Sequence, residues 1–290
     1  MLLYGSRDGG PGGEAPLFDG LRDAGYVEGS SLVVERHYAD AKPERFGAIV
    51  ADAVRSAPAV IFVQGMDIAK VAQAATATVP IVAAGSEDPV KNGLVASLGR
   101  PGANVTGVTF MSPQLAGKRL DLLREALPGL ARVGVLYDPD HIDNYMTELD
   151  AAARTHGMRL VPRAVRSRDE IDRAIVAGPE SVEAIFVIPG RVTLFHQRRV
   201  AEAAIRHRLP AMSAYTAFAA AGGLMSYGAN VADLLRRAAG QIHRIVEGTR
   251  PGDIPFEQPT RFELVINDAT ARALKLTLPQ ALMLRADRII

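Results

Sequence analysis

The chain has 290 residues, 48% of them apolar, and its 33 basic side chains nearly balance 32 acidic ones for a formal net charge of +1. That balance excludes the concentrated basic face expected of a nucleic-acid binder, and the absence of cysteine excludes disulfides, thiolate metal sites and a cysteine nucleophile. Apolar runs such as Ala57 to Val63 fall far short of the ~20 residues that span a bilayer, so no direct insertion into a membrane is expected.

In chain order, Leu2 to Gly5 reads as a short strand, and Glu14 to Ala24 as a helix with Leu17, Phe18 and Leu21 on one face and Gly25 as its stop. A strand over Leu32 to Tyr38 follows, then a helix from Pro43 to about Ser56, where proline suits the first turn. Next come a strand at Ala59 to Val63, a helix from Met66 to Ala77 and a strand at Pro80 to Ala84. After Thr106 to Phe110 a second series begins. It runs helix Gln114 to Leu127, strand Arg132 to Tyr137, helix Asp143 to His156, strand Arg159 to Ala164, helix Arg168 to Ala177, strand Ala184 to Ile188 and helix Val192 to His207. A later helix, Val231 to Glu247, carries Leu234, Leu235, Ala238, Ile242 and Ile245 on one face and basic residues on the other. The pairs Arg198-Arg199 and Arg236-Arg237 read as solvated helix faces.

Repeated βαβ units with short connections argue for parallel sheets covered by helices on both faces. The expected fold is α/β, with two doubly wound, Rossmann-like lobes joined by a multi-strand hinge. One lobe would hold residues 1–110 plus about 227–257, the other 111–226 plus about 258–290. The chain would cross near Thr106 to Ser112 and return near Leu224 to Gly228, and such a hinge closes two lobes on a ligand.

The usual catalytic motifs fail one by one. Ser226 nearly sits in a nucleophile elbow, but Leu224 stands where G-x-S-x-G needs its first glycine. The loop from Gly5 to Gly13 holds no G-x-G-x-x-G, and no phosphate-binding G-x-x-x-x-G-K-[ST] exists. Asp138, Asp140 and Asp143 suggest calcium, yet the sixth position lacks glycine and Leu149 stands where glutamate is required. No histidine pair has i, i+4 spacing and H-E-x-x-H is absent. No catalytic residue, metal or cofactor is therefore expected.

In open α/β sheets ligands bind beyond the carboxyl ends of strands, and that rule selects the candidates. Arg7 and Asp8 follow the first strand; Arg7 could pair with an anion through its planar fork, although the loop reads equally as plain surface. Gln64, Gly65 and Met66 follow the third strand and open a helix, whose N–H groups attract carboxylates. Ser86 and Asp88 follow the fourth, where Ser86 serves either as a hydroxyl donor or as a helix cap. Phe110 and Met111 lie on the crossing. Asp138 and Asn144 could meet an amino or hydroxyl group, and Pro189 and Gly190 end another strand. Tyr215 and Tyr227 could flank a planar ligand, or simply pack with a wet tip.

The run Gly222-Gly223-Leu224-Met225-Ser226-Tyr227-Gly228 is followed by Arg236-Arg237-Ala238-Ala239, by Pro251-Gly252-Asp253-Ile254-Pro255, by Glu257-Gln258-Pro259-Thr260 and by Phe262 to Asn267. With Gly20 to Gly29, Asp88-Pro89-Val90 and Arg100 to Gly107 upstream, this order resembles the bacterial ABC-transporter substrate-binding proteins of the tryptophan-transporter-like type, across nearly the whole chain. The resemblance implies the type I periplasmic-binding-protein fold and a protein that captures an amino-acid-like or aromatic carboxylate and delivers it to an inner-membrane permease; a monomer is expected. It also implies a periplasmic location with the export signal trimmed, since Met1 to Gly5 already reads as a strand; the alternative reading is a cytosolic protein complete as written. The sequon Asn104-Val105-Thr106 belongs to the crossing segment in that family. Two rival readings stay open: a two-lobed α/β enzyme, such as a transferase or isomerase, and the effector-binding domain of a transcription regulator.

Overall fold

The computed structural model describes residues 2–3, 13–40, 42–139, 145–176 and 181–290. The chain divides into two compact units, Met1–Met111 with Asn230–Thr260 and Ser112–Ala229 with Arg261–Ile290. It therefore passes from one unit to the other three times.

The first stretch runs β1 (Leu2–Leu3), α1 (Ala15–Asp23), β2 (His37–Tyr38), α2 (Phe46–Arg55), β3 (Ile61–Gln64), α3 (Met66–Ala75), β4 (Ile81–Gly85) and β5 (Val105–Thr109). The second runs α4 (Ala116–Ala126), β6 (Arg132–Tyr137), α5 (Tyr145–Thr155), β7 (Arg159–Ala164), α6 (Ile171–Val176), β8 (Ala184–Val187), α7 (Arg191–Phe195), α8 (Gln197–Arg206), β9 (Ala211–Ser213), α9 (Thr216–Ala220) and β10 (Met225–Ala229). Then α10 (Val231–Val246) returns to the first unit, and β11 (Phe262–Ile266), α11 (Asp268–Ala273), α12 (Gln280–Arg285) and β12 (Arg288–Ile289) complete the second.

Both sheets share one order. The first unit is a parallel sheet β2-β1-β3-β4-β5. The second repeats the same 2-1-3-4-5 pattern as β7-β6-β8-β9-β10, then adds β11 antiparallel and β12. In each, the chain leaves the first strand to one side and resumes on the other, which creates the switch point where doubly wound folds bind ligands. The first unit's switch point lies between β1 and β3, the second's between β6 and β8.

The strands are apolar on both faces because helices cover both. Ile61, Val63, Ile81, Ala83 and Val105 form one core with Phe46, Val50, Ile68 and Ala72 of the covering helices. In the second unit, Val133, Val135, Phe186 and Met225 face α4 and α5, whereas Leu136, Ile185, Val187 and Ala211 face α6 and α8.

Several sequence expectations change. The strand expected over Leu32 to Tyr38 shrinks to His37–Tyr38. Val33 there is 90% exposed, so the run has no core to face. The helix expected over Val192 to His207 is two helices that break at His196. Arg236 is exposed as expected, but Arg237 is half-buried and engaged. Its Nε donates to Glu257 Oε2 at 2.6 Å and its Nη1 to the Gln258 carbonyl at 3.1 Å. Asn104, read as a sequon, donates from its amide to the carbonyls of Thr76 and Val79, both at 2.8 Å, and so braces the turn before β4.

The Ile254-to-Gln258 segment closes the open edge of the first sheet. It lies beside β5 in parallel, bridging Val108 to Glu257. Glu257 N–H donates to the Gly107 carbonyl at 2.8 Å, and Thr109 N–H donates to the Glu257 carbonyl at 2.9 Å. Phe256 is 3% exposed and plugs the core. Gln241 on α10 donates from Nε2 to the Gly107 carbonyl and to Glu257 Oε1 at 3.0 and 3.1 Å. The prolines on either side suit an added edge segment that forms few ladder bonds.

Candidate ligand-binding site

The first unit's candidates surround the ends of β3, β4 and β5. Gly65 adopts φ +125°, a conformation that favours glycine, and so turns the chain from β3 into α3. Its N–H donates to the Ala84 carbonyl at 2.9 Å, which locks the β3 and β4 ends together. Met66 lies in the core with no exposed surface, and a Cβ on Gly85 would stand 2.7 Å from its Cγ. Its side chain is committed to packing, which removes Met66 from the ligand contacts expected above. Gln64 is half-buried at the same strand end.

Of the two readings of Ser86, the helix cap does not hold. Residues 86–104 form turns without a helix, so Ser86 caps none. Ser86 is half-buried. Asp88 is spent on the turn, since its Oδ1 accepts the N–H groups of Val90 and Lys91 at 2.9 and 3.1 Å. The start of α3 is also less inviting to an anion than expected, because Asp67 sits in its first turn and accepts from the Ile68 N–H at 2.9 Å. Phe110 is buried at 8% exposure, with its N–H on the Gly85 carbonyl at 2.7 Å. Met111 is half-buried and adopts φ +49°, unusual for a residue with a side chain.

Asp138, Pro189 and Gly190 stand together at the second unit's switch point. Asp138, 3% exposed, is the one buried acidic residue among those described. It stands directly after β6, against the start of α7, where Val192 N–H approaches its Oδ2 at 3.5 Å. Gly190 faces it so closely that a Cβ would lie 2.9 Å from the Asp138 Cβ. Thr193 pins this turn. Its hydroxyl accepts from the Gly190 N–H and donates to the Ile188 carbonyl, both at 2.7 Å. Pro189 is buried beside it. The neighbouring Arg191 has a guanidinium pKa pushed down by burial.

Tyr215 follows β9 as the N-cap of α9 and is half-buried. Tyr227, in β10, is half-buried, with its ring 6.2 Å from that of Phe262 and tilted 30° to it. Arg7, Asp8 and Asn144 lie outside the described residues, as do Asp140 and Asp143. Among the described residues no cluster of three metal-ligating side chains exists, and no helix is long and apolar enough to cross a membrane.

The sequence reading missed Arg119. It sits in α4 beside Lys118, looks like a surface pair, and is 1% exposed. Its Nε donates to the Tyr227 carbonyl at 2.5 Å, and its Nη1 to the Ser112 carbonyl at 2.7 Å and to Tyr145 Oη at 2.6 Å. The only early signal was its position among Leu120, Leu122 and Leu123, on a face that must be buried.

Comparison with known proteins adds three likenesses and one family. The family model for ABC transporter substrate-binding proteins matches residues 13–290. A tyrosine-binding protein of Clostridioides difficile is 24% identical over 259 residues, covering 88% of this chain and 74% of the relative. A crystal structure of a conserved domain protein from Vibrio cholerae superposes with a TM-score of 0.92 at 27% identity, covering 100% of this chain and 98% of that one. The structure of an ABC domain in complex with L-Trp from Streptococcus pneumoniae superposes with a TM-score of 0.86 at 25% identity, covering 100% and 99%.

Proposed function

The chain belongs to the ABC transporter substrate-binding protein family, and we propose that within it this protein captures an aromatic amino acid or a closely similar carboxylate for import. The fold is that of the type I periplasmic binding proteins, and the function is solute binding for an ABC importer, with a small ligand and a permease as partners. Capture rather than catalysis is the mechanism. Binding shifts the protein toward whichever conformation holds the ligand more tightly.

The observation that carries the ligand class is Asp138. Asp138 is a buried carboxylate held at the end of β6 against the start of α7, and an amino acid's ammonium would find there a charged acceptor for a strong hydrogen bond. Half-buried Ser86 and the main chain of the turn after β4 would receive the carboxylate. Tyr215 and Tyr227 would receive the aromatic body. Pro189 and Gly190 would shape the floor under Asp138, Gln64 and Gly65 the corresponding edge of the first unit, and Met111 a flank. The relatives named for tyrosine and bound to L-Trp support this class. We further propose that the protein works as a periplasmic monomer without a cofactor or catalytic activity.

The test is a thermal-shift panel of L-tryptophan, L-tyrosine, aliphatic amino acids, aromatic acids lacking the amine, and sugars. Aromatic amino acids should raise the melting temperature, since a ligand at a hundredfold its Kd adds about 2.7 kcal/mol of stability. Acids lacking the amine should stabilise less. Stabilisation by sugars, with none from amino acids, would overturn the reading.

A further inference from the structure

We infer that Arg119 is a positioning residue for ligand capture, fastening two of the three segments that run between the units onto the second unit as one block. The role in capture rests on the solute-binding reading above. The block itself rests on geometry. Ser112 is the first residue of the second unit after the first crossing, and Tyr227 comes two residues before Ala229, the last before the return. One guanidinium reaches the main-chain carbonyls of both. Its Nη2 also reaches Ser112 Oγ at 3.3 Å, and Ser112 Oγ and Tyr145 Oη lie 2.5 Å apart, which closes the network. The Arg119 guanidinium carbon stands 5.8 Å from the centre of the Tyr145 ring.

The chemistry is odd for a stabilising core residue. Arg119 makes no ion pair among the described residues, and burying a cation without a carboxylate is expensive. A leucine would fill the space of a helix already rich in leucine without desolvating a cation. What a leucine cannot do is join two carbonyls 115 positions apart in the chain (227 − 112) through one rigid planar fork. Gly228 belongs to the same block, since a Cβ there would lie 2.1 Å from the Ala214 carbonyl oxygen and 3.5 Å from Arg119 Nη2.

Rotation about the crossing bonds is thereby confined to what lies outside the block. On the outward crossing that is Met111, already in the left-handed region at φ +49°, next to Phe110, which is held on Gly85. On the return it is Ala229 to Asn230, where Asn230 caps α10 by accepting from the Asp233 N–H at 2.8 Å. The same fork fixes the backbone of Tyr227, a proposed ligand contact, so that crossing geometry and ligand contact are set by one side chain.

The experiment is hydrogen exchange read by mass spectrometry on the full chain without ligand, comparing wild type, Tyr145→Phe and Arg119→Lys. Removing Arg119 altogether risks the fold, so the two milder variants decide. Exchange in peptides spanning 112–116 and 225–229 should quicken together, about five- to thirtyfold in Tyr145→Phe, which loses the hydroxyl's bonds to Arg119 and Ser112, and more in Arg119→Lys. Peptides from β4 and β6 should keep their rates. Acceleration in one segment alone, in the whole second unit, or in neither would overturn the block. So would full protection in Arg119→Lys, because a charge without the fork would then suffice. Calorimetric titration with L-tyrosine and L-tryptophan supplies the second readout, and both variants should bind the preferred probe more weakly than wild type. If neither probe binds wild type, the aromatic amino-acid reading and the role in capture both fall, while the exchange result alone decides whether the block exists.

Discussion

The strands that lead the chain out of each unit, β5 and β10, face the same problem and solve half of it alike. Each carries a glycine pressed on a neighbouring carbonyl: a Cβ on Gly107 would sit 1.9 Å from the Ala83 oxygen, and one on Gly228 2.1 Å from the Ala214 oxygen. Beyond that they diverge. The open side of β5 is covered by the parallel Ile254-to-Gln258 segment, fixed through the Glu257 carboxylate to Arg237 and Gln241. The open side of β10 is covered by the full antiparallel strand β11, and its end is fixed by a guanidinium that grips carbonyls. A short, weakly paired edge is thus held by opposite charges. A well-paired strand needs only its terminus oriented, and neutral main-chain oxygens suffice.

That contrast can be broken most violently at the glycines. Gly107→Ala and Gly228→Ala should each cost ~4 kcal/mol or more, because the clash is with backbone that cannot retreat; Gly107 adds a φ of +156° that side chains rarely adopt. Soluble yield and circular dichroism would read the loss, and a native-like melting curve for either variant would contradict it. Next comes Arg119→Met, which strands the Ser112 and Tyr227 carbonyls in a dry site and should cost about 3 kcal/mol. It should lower the denaturant midpoint at an unchanged slope.

Glu257→Gln should cost less, about 1–2 kcal/mol, because the pair with Arg237 is only partly buried. Here salt sharpens the comparison. Added salt should shrink the Glu257→Gln deficit by screening the ion pair and leave the Arg119→Met deficit nearly unchanged, as melts in 0.05 and 0.5 M salt would show. The smallest effect lies at Glu183. Its carboxylate accepts the N–H groups of Arg132 and Ala131, both at 2.8 Å, and these bonds hold its pKa below the ordinary carboxylate value. The lowered pKa adds stability above the unfolded-state value that is lost as pH falls through the folded one. Glu183→Gln should therefore cost under ~1 kcal/mol at neutral pH, given its exposure, and nothing in acid below the folded pKa. A deficit that persisted there would refute the assignment.

Much of the fold was legible because buried parallel strands and amphipathic helices write themselves as apolar periodicity. Arg132–Tyr137 and Arg159–Ala164 appear as strands over the residues that the pattern marks. What stayed hidden depends on contacts between distant positions. Nothing near Arg119 announces Tyr227, 108 positions away. Val33 reads as strand until the absence of a covering layer is seen. The Phe256-Glu257 pair carries a clear family signature, yet its purpose needs β5 and α10 beside it. Asn267 likewise reads as the end of a motif; in the fold it caps α11 through the Thr270 N–H and reaches the Ala219 carbonyl at 2.9 Å. Of the site, strand ends were legible as places, because topology dictates them, but which side chains face outward was not. Met66 shows why: helix starts and core floors share the same sequence position.

The pairing of α1 with α10 has a consequence for how the protein is made. Gly20 on α1 lies so close to α10 that a Cβ would stand 2.8 Å from that of Ala239. Those residues are separated by the whole main body of the second unit. A ribosome extruding this chain releases α1 early and withholds its partner until most of the polypeptide has emerged. Throughout that interval the nascent first unit bears an uncovered helix face and an unpaired β5 margin, while the second unit has its five parallel strands ready to assemble. The unit begun first is thus the one that must wait to close.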